Sequence, residues 1–308
     1  MNQQELEQLK KIKGAIIKTI AFFDMFFYPL TFFEIRKYLG EKVDWHVLSL
    51  LIDDLTVSGR LIKRKGFFCL PGREDVVNLR QQKLNVYNRK LKKALRVAKI
   101  FSYIPWIKYI ALVNSIGSHN LNEDGDIDLL IITSNNRLWL SRLFTVLIIS
   151  LLGQRPKYND VRDKICLSFF LSEKRMNMEN LQITNDIYFK YWFSNINTLY
   201  NSSGTYHKLI EANQWLKKAL PNWKESIFHK NNIKARGSVF YRDVWDMLFA
   251  GLEKFVYKIQ IKKFPRSISL QLKEPGSSVL INRDIIKLHT NDRRRYFFDE
   301  WQRRIKMF

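Results

Sequence analysis

Cysteine is nearly absent: only Cys69 and Cys166 occur among 308 residues, each inside an apolar stretch. Two such thiols can build neither a disulfide framework nor a zinc cluster, so a reducing, cytoplasmic setting is expected. The N-terminal stretch MNQQELEQLKK lacks the basic start, apolar run and small-residue cleavage site of a secretory signal, which argues against export. Long hydrophobic runs are missing too. Leu143 to Leu152 is too short to span a bilayer and Thr19 to Phe33 contains Asp24 and Pro29, so both are expected as buried helices and no membrane contact is expected. Internal repeats and low-complexity segments are lacking, which excludes solenoid arrays. Acidic residues are scarce: 29 Asp and Glu against 52 Lys and Arg leave a net charge of +23, a field that attracts polyanions such as nucleic acid or nucleotide phosphates. Lys, Asn and Ile are also what an AT-rich genome supplies, so the charge alone names no partner.

What is present suffices for a sizeable core, with 46% hydrophobic and 14% aromatic residues. Apolar residues recur at helical spacing from Ile12 to Phe27, and Pro29 ends that element. Thr31 and Glu34 make a capping-box signature for a second helix, TFFEIRKYL. Asp44 caps a third, on which Val47, Leu48, Leu51, Ile52 and Leu55 share a face. Two short strands, LIKR and FFCL, then flank the turn Lys65-Gly66. Three helices and a basic hairpin are similar to a winged helix-turn-helix, giving an expected domain over residues 1–72. Its third helix carries Asp53 and Asp54, so a role in protein contact stands beside one in reading DNA.

A long amphipathic helix is predicted from Glu74 to Tyr103, within a linker spanning residues 73–106. Between Arg80 and Lys99 it carries Arg80, Lys83, Arg89, Lys90, Lys92, Lys93, Arg96 and Lys99 and no acid, which makes it the candidate nucleic-acid surface or else a solvated connecting helix. Further on, helices are predicted at Ile187 to Leu199, Tyr206 to Leu220 and Tyr241 to Phe264. A hairpin SISLQL/VLINR around Glu274-Pro275-Gly276 and a basic terminal helix from Asp292 follow.

The segment NSIGSHNLNEDGDIDLLIIT carries the chemistry. YIALVNS and DIDLLIIT read as buried strands joined by a polar loop. Side chains alternate along a strand, so Asp126 and Asp128 project to one face and Ile127 and Leu129 to the other. Two adjacent carboxylates repel each other, and a hard divalent cation relieves the repulsion; Mg²⁺ is the expected ion. Such an ion also lowers the charge barrier to attack on a phosphoryl group.

An apolar strand ending in Asn114-Ser115, a short loop, and Asp126-x-Asp128 opening the next strand resemble the polymerase-β-like nucleotidyltransferase superfamily, in particular its minimal members. The resemblance covers roughly residues 107–173. It implies an α+β core over residues 107–175, a mixed sheet flanked by helices, followed by a mainly helical region over 176–308. It further implies a cytoplasmic, Mg²⁺-dependent enzyme that transfers a nucleoside monophosphate from an NTP to an acceptor. Asp126 and Asp128 would hold the metal, and Ser115, with Asn114 where the family has glycine, would contact the phosphates. Gly117 and Ser118 offer the same function in a shifted loop register. Family members place a third carboxylate on a later strand. The candidate strand KICLSFFLS contains no acid and offers Cys166, Ser168 and Phe170 on one face, so Asp163, just before it, is the candidate third acid. The alternative implied is a catalytically impaired nucleotidyltransferase-type protein acting in nucleic-acid binding or as an antitoxin-like regulator. Arg137, Arg142 and Arg155 around the next helix are candidates to meet triphosphate, as is His119 in the loop. Lys287, His289, Asp292 and Arg293 form a polar cluster with no mechanism attached.

Overall fold

Local chemistry fixes the first helix. In the computed structural model, which describes residues 2–113, 120–157, 159–225, 233, 239–274 and 278–307, α1 (Gln3–Asp24) starts at an Asn2/Glu5 capping box and buries Ile12, Ile16, Ile20 and Phe23. β1 (Leu30–Thr31) leads into α2 (Phe32–Tyr38), where the Thr31 hydroxyl accepts from Glu34 N at 3.3 Å and Glu34 Oε2 accepts from Thr31 N at 2.9 Å. α3 (Trp45–Val57), capped by Asp44, precedes the hairpin β2 (Ile62–Arg64) and β3 (Phe67–Cys69). Lys65 and Gly66 turn that hairpin with φ of 50° and 79°, the left-handed region in which glycine is unstrained. These short strands form an antiparallel sheet in the order β1-β3-β2.

α4 (Val76–Phe101) is the long helix. After it come β4 (Ile107–Leu112), β5 (Ile127–Thr133), α5 (Leu138–Leu151) and β6 (Ile165–Ser172). The chain continues through α6 (Ile187–Ser194), β7 (Asn197–Asn201), α7 (Thr205–Glu211) and α8 (Trp215–Ala219). Then follow α9 (Val239–Leu248), α10 (Leu252–Lys262), α11 (Arg266–Gln271), β8 (Val279–Ile281), β9 (Ile285–Leu288) and α12 (Arg294–Ile305). The main sheet has six strands in the order β7-β4-β5-β6-β9-β8, with β5 and β6 parallel and the other pairs antiparallel. The protein is thus mixed α+β, two sheets flanked by helices. Among the described residues no helix is long and apolar enough to cross a membrane.

Alternation along the strands divides the apolar residues between two cores. Ile127, Leu129 and Ile131 face one core with α4, α5 and α10, while Leu130 and Ile132 face the other with α1–α3, α6–α8 and the apolar side of α12. The N-terminal helices therefore share a core with the main sheet. Tyr38 Oη donates to Asn195 Oδ1 at 2.6 Å, Val43 N donates to Asn222 Oδ1 at 3.1 Å, and buried Asp24 is held by Arg73 at 2.9 Å and by Arg304.

Four sequence expectations fail locally. The helix expected from Tyr206 to Leu220 is divided by the turn at residues 212–214 into α7 and α8. SISLQL is helical: of its alternating apolar residues only Ile268 is buried, so there is no sheet face for the alternation to serve, and the hairpin is β8-β9 instead. The helix expected to run to Leu199 stops at Ser194, because Asn195 turns its side-chain amide back to the Tyr191 carbonyl at 2.7 Å and accepts from Tyr38; Asn197–Asn201 becomes an edge strand. Gly251, at φ 76°, divides the expected Tyr241–Phe264 helix into α9 and α10. The region after residue 176 thereby supplies three of the six strands of the main sheet, so its mainly helical description holds only in part.

Candidate metal and nucleotide site

Asp128 is the second residue of β5, and Asp126 immediately precedes the strand. The neighbours Ile127 and Leu129 are fully buried, which fixes the register and sends both carboxylates to the opposite face. Across the parallel pairing Asp128 lies opposite Cys166. Ligand atoms of Asp126, Asp128 and Cys166 all lie within 4.8 Å of one another, and each residue is half-buried.

A β-bulge in β6 decides what faces these carboxylates. Asp128 pairs with Cys166 but Leu130 pairs with Phe169, so β6 carries one extra residue over that interval. Ile165, Leu167 and Phe170 consequently share one core while Phe169 and Leu171 enter the other. The expected face Cys166-Ser168-Phe170 is replaced by Cys166-Phe169-Leu171, because strict alternation does not survive an extra residue. Burial pushes the Cys166 thiol well above its ordinary pKa, and the charges of Asp128 and Asp126 push it further. A protonated thiol is a poor partner for a hard cation.

Of these donors the two carboxylates are the oxygen ligands that a hard divalent cation such as Mg²⁺ would take. Asp163, expected as the third acid, is not part of this cluster. It has φ 57°, its backbone N–H donates to the Gly125 carbonyl at 3.1 Å, and its carboxylate accepts from Arg89 and Lys90, each at 3.1 Å. Burial would raise its pKa, but Lys90 and Arg89 prevail and hold it below the ordinary carboxylate value. Its place just outside the strand, turned toward α4, makes it an anchor.

That anchoring is where the basic helix is engaged. Lys83 donates to Asn120 Oδ1 at 2.7 Å, Arg89 pairs with Glu123 at 2.9 Å, and the fully buried Lys90 donates to the Gly125 carbonyl. Three cations of α4 thus fasten the segment leading into Asp126. Arg80 is also internal: it grips Glu34 at 2.7 and 2.8 Å and lies 4.0 Å from the Tyr28 ring centroid. Lys92, Arg96 and Lys99 remain exposed. Four of the eight cations of the basic face read from the sequence, Arg80, Lys83, Arg89 and Lys90, are therefore engaged in internal pairing.

Arg137 and Arg142 are placed away from the carboxylates. Arg137 pairs with Asp246 at 2.8 Å, and Arg142 donates to Gln260 at 2.5 Å and lies over Phe264 at 4.8 Å, both beside the core on the other side of the sheet. Asn114, Ser115, Gly117, Ser118 and His119 lie outside the described residues.

The polar cluster near the C-terminus acquires a location. Lys287 in β9 pairs with Phe169 in β6, and the following residues run back along β6 toward its Cys166 end. Phe169, Tyr188, Trp192, Lys287, His289 and Arg294 are among the residues that line a pocket of about 150 Å³ there. Phe169 in this lining pairs with Leu130, on the same face of β5 as Asp128. Burial raises the Tyr188 phenol pKa, and the charges of Asp128 and Asp292 raise it further. Burial, then Arg294, lowers Lys287 to about 8; burial, then Lys287, lowers His289 to about 4. Asp292 is held below its ordinary value, since the hydrogen bonds from Arg294 outweigh burial. Sequence reasoning marked Lys287, His289, Asp292 and Arg293 but missed Tyr188 and Trp192, which a helix alone presents as ordinary packing aromatics. No family model, curated protein or solved structure matches this chain.

Proposed function

We propose that the protein binds a divalent cation and a nucleoside triphosphate at Asp126 and Asp128 and acts as a nucleotidyltransferase, transferring a nucleoside monophosphate to an acceptor and releasing pyrophosphate. The observation that carries this reading is the pair of half-buried carboxylates at the mouth of a buried strand, close enough to share one ion. Mg²⁺, when bound, would neutralise triphosphate charge there. The chain's own contribution is positional: the buried flanks of β5 aim the carboxylates, and Lys83, Arg89 and Lys90 fix the segment before them.

A second reading is favoured by one specific observation. Cys166, a protonated thiol, stands opposite Asp128, and Asp163 is engaged by two cations, so no free carboxylate among these accompanies the pair as a general base. On this reading the site binds metal and nucleotide without transfer and serves a regulatory role. Incubating the protein with each of the four NTPs and Mg²⁺ and measuring pyrophosphate separates the two. Release that Asp126→Asn with Asp128→Asn abolishes supports transfer. Metal-dependent nucleotide binding without release supports the second reading, and release that persists in the double variant refutes both assignments of these carboxylates.

A further inference from the structure

The pocket beside the carboxylates is lined with rings in ordered contact. Phe169 and Trp192 stack at 5.9 Å, Phe189 and Trp192 at 5.3 Å, and Tyr188 and Phe297 at 5.2 Å with only 11° between their planes. His289 stands edge-on to Phe169 at 6.0 Å. The imidazole Nδ1 is buried with no hydrogen-bond partner, and burial and Lys287 keep the ring neutral at pH 7. A buried polar nitrogen left unmatched weakens the fold, and an apolar side chain would avoid that cost. Its position at a ring-lined pocket gives it a use when a ligand supplies the missing partner. The Lys287 ammonium borders the same space and donates to the Ser278 carbonyl at 2.8 Å.

We propose that this pocket is the base subsite of the nucleotide site and selects a single six-membered heteroaromatic ring, a pyrimidine, over a purine. Its volume of about 150 Å³ matches that of an engineered cavity, about 150 Å³, that accommodates one benzene ring. Aromatic walls provide the stacking faces that every base uses. Discrimination comes from size and from His289, whose buried Nδ1, once the ring turns toward the pocket, can donate to a pyrimidine carbonyl or accept from a ring N–H according to its tautomer. Phe169, which lines the pocket, pairs with Leu130, on the same face of β5 as Asp128, and this places the base on the side of the sheet where the carboxylates would face the phosphates. The proposal rests on the nucleotide-binding reading of Asp126 and Asp128 and adds the substrate class.

Equilibrium binding to the full chain tests it, using non-hydrolysable analogues of UTP, CTP, ATP and GTP with Mg²⁺, and the four nucleosides without metal. The expected result is at least tenfold tighter binding of the pyrimidine analogues. His289→Phe, which removes the unmatched nitrogen, should lower their affinity at least tenfold while leaving the melting temperature unchanged or higher. Equal or tighter purine binding by the native protein overturns the proposal, as does a folded His289→Phe protein that binds within twofold of native. Should His289→Phe not fold, the base preference of the native protein decides the matter alone. The two readings fail separately. Metal-dependent binding of the triphosphate analogues without base preference removes the base subsite and leaves the carboxylate site standing, whereas pyrimidine preference among the nucleosides, with triphosphate analogues that Mg²⁺ does not tighten, supports the subsite and removes the role of Asp126 and Asp128.

Discussion

Cys166 lies directly across from Asp128 in the parallel pairing of β5 and β6, its thiol within 4.8 Å of both candidate metal-binding carboxylates. Burial and the charges of Asp128 and Asp126 keep that thiol protonated. The negative charge of this cluster therefore rests on the two carboxylates.

Replacing Cys166 by Asp is therefore expected to install a metal-dependent stability. In EDTA three carboxylates crowd one half-buried spot, and the variant should lose about 2–4 kcal/mol. Saturating Mg²⁺ should return about 2.7 kcal/mol at a hundredfold excess over the dissociation constant. Thermal melts with and without metal check this; a Cys166→Asp protein indifferent to Mg²⁺ would contradict the assignment.

Lys90 and Asp163 should behave as a structural pair. Lys90→Met leaves the Gly125 carbonyl without its donor and Asp163 with Arg89 alone, an expected loss of about 3 kcal/mol in urea unfolding. The pH dependence has a defined sign. The folded pKa of Asp163 is depressed, so its contribution is complete above the unfolded value of about 3.9 and is lost as pH falls through the folded value. The stability gap between native protein and Asp163→Asn should stay constant near neutrality and close in acid. A gap that widened on acidification would be inconsistent with this pairing.

The cations of α4 should divide into two groups. Arg80→Ala breaks the two-pronged grip on Glu34 and is expected to cost about 2–4 kcal/mol. Charge reversal of exposed Lys92, Arg96 and Lys99 should alter stability by no more than about 0.5 kcal/mol each while reducing retention on a heparin column. Unchanged retention in the triple variant would show that this face is not the polyanion surface.

Much of this was legible in the sequence for identifiable reasons. The Thr31/Glu34 capping box, the Lys65-Gly66 turn and the apolar flanks of Asp126 and Asp128 are local signals, and each appears as read. What was illegible is what tertiary contact decides. The bulge in β6 replaces Phe170 with Phe169 on the carboxylate face, and no residue type in KICLSFFLS announces it. The run of cations on α4 looks solvated until Glu34, Glu123 and Asp163 arrive from distant segments to pair with it. His289 and Tyr188 line one pocket only because β9 and α6 converge beside β6.

Asp126 and Asp128 are proposed to hold nucleotide through a metal. Equilibrium dialysis of a labelled, non-hydrolysable NTP against the native protein and against Asp126→Asn with Asp128→Asn, each in Mg²⁺ and in EDTA, measures this without requiring turnover. The predicted result is retention by the native protein in Mg²⁺, reduced at least tenfold by EDTA or by the double substitution. Equal retention under all four conditions, or none by the native protein in Mg²⁺, would contradict it.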